Sequence, residues 1–443
     1  MDAMPIPPNN TRYGFYYYPD TLHYRENDLA TWIPELHALG ASWLTLLAPV
    51  DRAIPEAFIR CLLMEGIQPI LHFHLSTSIS QPADDLNVLL NAYAHWGVHY
   101  IALFDRPNQR HNWSPSTWAH SNLVERFLDI FIPVAEGVLK AGLIPVFPPL
   151  EPGGDYWDTA FLFAALQGMQ RRGQYDLLSQ MVLGAYAWIG NRSPNWGAGG
   201  PERWPNSKPY FTPENSEDQL GFRIFDWYLA HTEAAIGKTL PIILLGAGSR
   251  IGVQPDPRSP AVDQYAHSWQ NMTLVRIMSG QTLEYEQVPP EVLACNFWLL
   301  SSAETSKEKT DAWYKPDSKF LPIVKALRQW VSSGGEDPYP PLPSAFPRPE
   351  AKGSRPIAHY LLLPTYEWGI ADWHLEAIRP FVKKYHPTIG FSPIEAAHAQ
   401  KVTVVGGASA IPDSLIDGLI ASGCVVERIT GDGTTIATKL ASL

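Results

Sequence analysis

Eight short apolar runs alternate with longer amphipathic stretches between residues 13 and 333 of the 443-residue chain. The runs are rich in β-branched and aromatic residues, and the stretches between them have helical periodicity, which is the pattern of repeated βα units. Eight such units close into a (β/α)8 barrel, whose sites lie at the carboxyl ends of the strands. The predicted strands are residues 13–20, 42–49, 67–75, 99–107, 144–152, 181–189, 241–248 and 292–301.

A second, smaller domain follows the barrel. Residues 336–356, "EDPYPPLPSAFPRPEAKGSRP", read as a proline-rich linker without an apolar period. We therefore predict a barrel domain over 1–335 and a parallel three-layer α/β domain over 357–443. Further predicted elements are helices at 28–40, 123–142, 221–237, 319–335, 372–385 and 412–423, and strands at 358–365, 401–407 and 425–431.

Composition excludes several classes of partner. The formal charge is −11, and the sequence has no local cluster of lysine and arginine. We therefore expect neither a nucleic acid nor an anionic membrane surface as a partner. No stretch has the apolar length of a membrane span, which predicts no membrane insertion, and "MDAMPIPPNN" at the start lacks the apolar core of a signal peptide. Three widely spaced cysteines indicate neither a disulfide framework nor a zinc site.

Residues 241–252, "PIILLGAGSRIG", have glycines at the end of an apolar run, as a nucleotide-binding turn does. That turn must lead directly into a helix, whereas prolines at 255, 257 and 260 follow here. We therefore expect no nucleotide cofactor, and no other cofactor. His72 and His74 have the H-x-H spacing of some metal-dependent barrels, but further histidines on strands five and six and an Asp on strand eight are missing, so no metal is predicted.

The strand ends carry the candidate site residues. Strand four ends "LFDRPNQRHNW" and strand five "FPPLEPGGDYWD", while the loop after strand six is long and rich in Gly, Trp and charge. Such a loop favours a binding surface, with a lid packed on the barrel as the alternative. The chain has 16 tryptophans, and aromatic faces stack on the C–H faces of sugar rings.

The strand-four ending "DRPN" resembles the "NEPN" ending of the large clan of retaining glycoside hydrolases. Tyr186 in "GAYAW" and Trp298 in "CNFW" fall where that clan often has a strand-six Tyr and a strand-eight Trp. The resemblance implies an acid/base Glu after strand four and a nucleophile Glu at the end of strand seven. Arg106 and Gly246 stand at those two positions, so the expected carboxylate pair is replaced.

The C-terminal domain resembles one copy of the type-two cell-wall-binding repeat. The residues that carry this resemblance are the "VGG" ending of a strand, the helix start "PDSL" and the strand ending "ERITG". It implies a cell-wall polymer as a possible partner and an extracellular or cell-surface location.

The favoured function is recognition of a polysaccharide or glycan at the cell envelope. The alternatives are an active glycoside hydrolase that uses displaced carboxylates, first of all Asp105 and Glu151, and a structural or self-assembling surface protein. The predicted sugar-contacting residues are His74, Arg106, Asn108, Asp155, Tyr186, Trp196, Glu202, Trp204, Gly246, Arg250 and Trp298.

Overall fold

The structure is a computed structural model that describes residues 4–77, 83–281, 284–335, 357–364, 372–408 and 410–441. It divides into two compact units, Met1–Pro338 and Tyr339–Leu443. The predicted linker over 336–356 lies outside the described residues.

The first unit is a closed barrel of eight parallel strands in sequential order, which confirms the predicted (β/α)8 class. Each predicted strand is present, shortened at one or both ends where the chain leaves the ladder. The strands are β1 Tyr13–Tyr16, β2 Trp43–Leu47, β3 Gln68–Phe73, β4 Tyr100–Leu103, β5 Ile144–Phe147, β6 Val182–Trp188, β7 Ile242–Gly248 and β8 Val292–Phe297.

Helices surround the barrel and bury their apolar faces against the strands. All four helices predicted for this unit are present. The eleven α-helices assigned within the described part of the unit are α1 Glu26–Ala38, α2 Glu56–Met64, α3 Ala83–His95, α4 Pro115–Trp118, α5 Leu123–Lys140, α6 Asp158–Arg171, α7 Tyr175–Gln180, α8 Gly200–Arg203, α9 Ile224–Ile236, α10 Gln264–Met278 and α11 Pro322–Ser332.

Bulky side chains fill the barrel interior. Trp43, Ile70 and Tyr100 belong to one buried cluster with aliphatic residues from the other strands. The Trp43 indole donates to the Asn10 side chain at 2.8 Å, and the Tyr100 hydroxyl donates to the Pro5 carbonyl at 2.7 Å. Because the interior is packed, a ligand site of this barrel is expected at the mouth, where the carboxyl ends of the strands meet.

The second unit is a four-stranded parallel sheet in the order β10-β9-β11-β12. Alternate residues of β9 point to opposite faces, so Tyr360 and Leu362 join one apolar cluster while Leu361 and Leu363 join another, which gives three layers. The elements are β9 Ile357–Leu362, α12 Asp372–Tyr385, β10 Thr388–Gly390, α13 Pro393–Ala396, β11 Ala399–Val405, α14 Asp413–Ala421, β12 Val425–Ile429 and α15 Gly433–Ala441.

Among the described residues of both units, no helix has the length and hydropathy that a membrane crossing requires.

Candidate functional site

Asp105 lies at the barrel mouth, two residues after the end of β4. The Tyr186 hydroxyl donates to its Oδ1 at 2.7 Å. The Arg106 guanidinium donates to its Oδ2 through Nε at 2.9 Å and Nη2 at 2.8 Å. Both carboxylate oxygens of Asp105 therefore accept hydrogen bonds from neighbouring side chains.

Arg106 connects the two carboxylates that the sequence nominated as displaced catalytic groups. Its Nη1 lies 3.4 Å from Oε2 of Glu151, while its other nitrogens hold Asp105. The same guanidinium lies 5.4 Å from the centroid of the Tyr186 ring. Asp105 and Glu151 thus both form ion pairs with the Arg106 guanidinium.

The environment of Asp105 keeps it ionised. Burial acts to raise the pKa of this carboxyl, but the neighbouring His74 imidazole and Arg106 guanidinium outweigh it and lower the pKa to about 2. A general acid for glycoside hydrolysis needs the opposite, a carboxyl that keeps its proton near neutral pH.

His72 and His74 project from the end of β3 towards Asp105. The rings of the two histidines are 4.4 Å apart between centroids and nearly perpendicular. The buried Nε2 of His72 lies 2.8 Å from the Phe104 carbonyl, and its Nδ1 lies 3.4 Å from the Tyr16 hydroxyl. Burial lowers the pKa of His72 to about 3, so this ring is neutral at physiological pH.

Gly246 lies where the resemblance implied a nucleophile, and aromatic rings occupy the space in front of it. A Cβ built at this position would come within 3.0 Å of Cη2 of Trp188 and of Cδ1 and Cε1 of Tyr186. The two rings stack with centroids 5.3 Å apart and an angle of 16° between their planes. The space that a nucleophile side chain needs is filled by these two rings.

Four rings at the carboxyl ends of β1, β6 and β8 form what we call the mouth cluster: Tyr16, Tyr186, Trp188 and Trp298. Trp298 contacts Tyr16 at 4.7 Å between centroids and meets Trp188 edge-on at 6.2 Å. The Arg250 guanidinium lies 4.4 Å from the centroid of Trp188. Trp188 and Trp298 are half-buried, so both keep surface that a ligand can reach.

A polar cleft of about 460 Å³ opens beside the mouth cluster. The loops after β3 and β4 form its walls, and Asp105 and His74 are part of its lining. Other residues that line the cleft are Thr77, His111, Asn112 and Ser114.

Two predicted contact residues join neighbouring loops. The buried Asn108 amide donates to the carbonyls of Glu151 at 2.9 Å and Tyr156 at 3.0 Å, and it accepts from the Glu151 amide at 2.9 Å. Asp155 accepts from the Arg110 amide at 2.9 Å. Asn108 thus fixes the position of Glu151 relative to strand four, while Asp155 connects the loops after strands four and five. A sugar contact by either side chain stays a prediction.

The long loop after β6 is held together by its own contacts. The Trp196 indole donates to Asp218 at 2.8 Å and is covered by the Arg192 guanidinium, 4.6 Å from its centroid. The Trp204 indole donates to the Ala198 carbonyl at 3.0 Å. Glu202 is exposed on α8. These contacts correspond to the packed-lid alternative for the two tryptophans, whose role in binding remains a prediction.

Sequence reasoning missed Trp188 and Tyr16. Trp188 stands two residues after Tyr186 on the same strand, so the period of two would have placed both on one face. Tyr16 is one of several adjacent tyrosines in "YGFYYYPD", and nothing local distinguishes it from its neighbours.

Comparisons of the chain with protein-family models and with curated proteins find no match. Among solved structures, the chain is similar to a GH128 endo-β-1,3-glucanase from Sorangium cellulosum, with 14% identity over 72% of this chain and 97% of that one, at a TM-score of 0.40. A GH10 protein from Paenibacillus barcinonensis has 11% identity over 73% and 96%, at a TM-score of 0.42. An endo-β-1,4-glucanase from Xanthomonas axonopodis pv. citri has 12% identity over 69% and 90%, at a TM-score of 0.37.

Proposed function

We propose that the barrel mouth binds a polysaccharide or glycan and does not cleave it by the two-carboxylate mechanism. The observation that carries this proposal is the Arg106 guanidinium, which lies between Asp105 and Glu151 and pairs with both.

Glycoside hydrolysis needs one carboxyl group to protonate the leaving oxygen and a second to attack the sugar or activate water. Asp105 accepts hydrogen bonds on both oxygens and Glu151 is ion-paired, so neither is arranged as a proton donor. Gly246 provides no carboxylate at the end of β7. These arrangements support binding without cleavage by a carboxylate pair.

The mouth cluster and the cleft together suit a sugar ligand. Half-buried indoles such as Trp188 and Trp298 offer flat apolar surface for the C–H faces of a sugar ring. In the cleft, the Thr77 and Asn112 side chains donate to backbone carbonyls, and their oxygens can still accept hydrogen bonds from sugar hydroxyls. Small-molecule sites combine apolar surface with a few such polar groups.

Replacement of Trp298 tests the binding. We expect Trp298→Ala to lower affinity for the recognised glycan by about tenfold or more, since buried aromatic contacts dominate such interfaces. The measurement is affinity electrophoresis with a panel of bacterial wall polysaccharides and plant glycans. Trp269→Ala is the matched control, because Trp269 is an exposed indole on α10, outside the mouth cluster.

Mass spectrometry of soluble products from the same incubations tests the absence of cleavage. New oligosaccharides that disappear in Asp105→Asn or Glu151→Gln would overturn the proposal in favour of an active hydrolase with displaced carboxylates. Failure to retain any glycan would favour a structural or self-assembling scaffold instead.

We also propose that the second unit binds a cell-wall polymer and that the protein acts at the cell envelope. Support comes from the repeat-like residues, which lie at the end of β11, at the start of α14 and on β12, where Arg428 pairs with Asp413. We expect the full chain to sediment with purified cell walls, and Trp298→Ala to sediment equally if the second unit is responsible. A chain that stays in the supernatant would contradict this assignment.

A further inference from the structure

Two imidazoles and a carboxylate lie close together beside the cleft, which is lined by His74 and Asp105 but not by the buried His72. One ring nitrogen each of His72 and His74 and one carboxylate oxygen of Asp105 all lie within 4.8 Å of one another. The sequence predicted no metal because histidines on strands five and six and an Asp on strand eight are missing. The third possible ligand here is instead the Asp105 carboxylate, which follows β4.

His72 is already oriented by its surroundings. Its ring is fully buried, and Nε2 lies 2.8 Å from the Phe104 carbonyl, which can only accept, so Nε2 carries the proton and Nδ1 keeps its lone pair. The Tyr16 hydroxyl is 3.4 Å from Nδ1, longer than an ordinary hydrogen bond. An imidazole that donates one N–H to a backbone carbonyl and keeps the other nitrogen available is the arrangement of metal-ligating histidines.

His74 adds a second imidazole from the same strand end. It stands two residues after His72, so both rings leave the same face of the chain. The ring is exposed in the cleft. Within the described part of the chain, neither of its ring nitrogens has a hydrogen-bond partner, so the nitrogen without a proton is free to bind an ion from the cleft.

The net charge around Asp105 is negative, which favours binding of a cation. Asp105 and Glu151 contribute two negative charges and Arg106 contributes one positive charge, so the group is net negative before an ion enters. Asp105 has lone pairs in addition to those used by Tyr186 and Arg106, because each carboxylate oxygen can accept more than one bond.

We propose that His72, His74 and Asp105 bind a divalent transition-metal ion, with zinc as the first candidate. Two imidazole nitrogens and one carboxylate oxygen form a ligand set that zinc and its neighbours prefer, and three protein ligands leave coordination positions open. His74 and Asp105 line the cleft, so water or a sugar hydroxyl can reach an ion held there. The site is independent of the proposed glycan recognition, because metal binding can be measured without any glycan.

Zinc binding to the 443-residue chain without a tag tests the site. The protein is treated with a chelator, then titrated with Zn²⁺ by isothermal calorimetry, and the retained metal is counted by mass spectrometry after gel filtration. We expect one ion per chain, and we expect His74→Ala to weaken binding by about 100-fold or more, since even supporting groups of metal sites are worth 10- to 100-fold. His74 is an exposed residue whose ring meets the His72 ring edge-on, so the thermal unfolding of His74→Ala is compared with that of the unmodified chain.

His111→Ala provides the matched control, because His111 lines the same cleft but lies outside the three-residue group. We expect it to bind as the unmodified chain does, and Asp105→Asn to bind weakly, as His74→Ala does. Absence of saturable binding in the unmodified chain would overturn the proposal. Equal binding by His74→Ala and the unmodified chain would also overturn it, since the ion would then lie elsewhere.

Discussion

Gly246→Glu is expected to destabilise the barrel and to leave it without hydrolase activity. The new Cβ would meet Tyr186 and Trp188 at 3.0 Å, and the buried Tyr186 ring is stacked on the half-buried Trp188 ring at the barrel mouth. The free energy of unfolding should fall by about 3 kcal/mol, because overpacking and a buried carboxylate both act against the fold. Urea unfolding followed by tryptophan fluorescence measures the change.

Gly246→Ala separates the two causes, since it adds the Cβ without the charge. We expect Gly246→Ala to lower the free energy of unfolding by about 1 kcal/mol, which is only part of the loss expected for Gly246→Glu. The double variant Gly246→Glu with Arg106→Glu restores both carboxylates that the resemblance implied, and we expect no sugar release from it. Unchanged stability together with new hydrolytic activity would contradict both expectations. It would show that Tyr186 and Trp188 move to accommodate Glu at position 246, and that two substitutions suffice to make this barrel a hydrolase.

Asp158 is expected to make stability depend on pH. This carboxylate is fully buried at the first residue of α6, where it accepts from the Gly153 amide at 3.0 Å, Gln219 Nε2 at 2.7 Å and the Tyr228 hydroxyl at 3.2 Å. Burial raises the pKa of Asp158 to about 6 from the 3.8 of an unperturbed Asp, in spite of these hydrogen bonds. The folded chain therefore holds a proton that the unfolded chain releases in this interval.

The free energy of unfolding should consequently fall by about 3 kcal/mol as the pH rises from 3.8 to 6, and change little from this group above that range. Asp158→Asn has no carboxyl group to titrate at this position, so its free energy of unfolding should not show this fall. As the pH rises from 3.8 to 6, the variant should therefore gain about 3 kcal/mol of stability relative to the unmodified chain. Chemical unfolding at a series of pH values measures the shift. Asp176→Asn on α7 serves as the exposed control, and parallel curves for the unmodified chain and Asp158→Asn would contradict the assignment.

Much of the fold could be predicted because its signals are local. Each barrel strand is an apolar run bounded by turns, and α12 begins and ends where its periodicity indicated, at Asp372 and Tyr385. Strand β10 was missed because only three residues, Thr388–Gly390, join the sheet. Such a short run has no period of its own.

The chemistry of the site was harder to predict because it depends on contacts between distant parts of the chain. Nothing local shows that the Arg106 guanidinium connects Asp105 with Glu151, or that Trp188 fills the space in front of Gly246. A residue type at a strand end can be recognised in sequence. Its partner across the barrel cannot.

Strand four ends in a conformation that L-residues rarely adopt. Phe104 and Arg106, on either side of Asp105, have positive φ values of 60° and 44°. Their carbonyls are nevertheless fixed, because Phe104 accepts from His72 and Arg106 accepts from Asn112 at 2.8 Å. The turn is therefore already ordered in the free protein, because folding has supplied the free energy that its strained conformation requires. A ligand that binds here needs little rearrangement of the protein, so little binding free energy is lost.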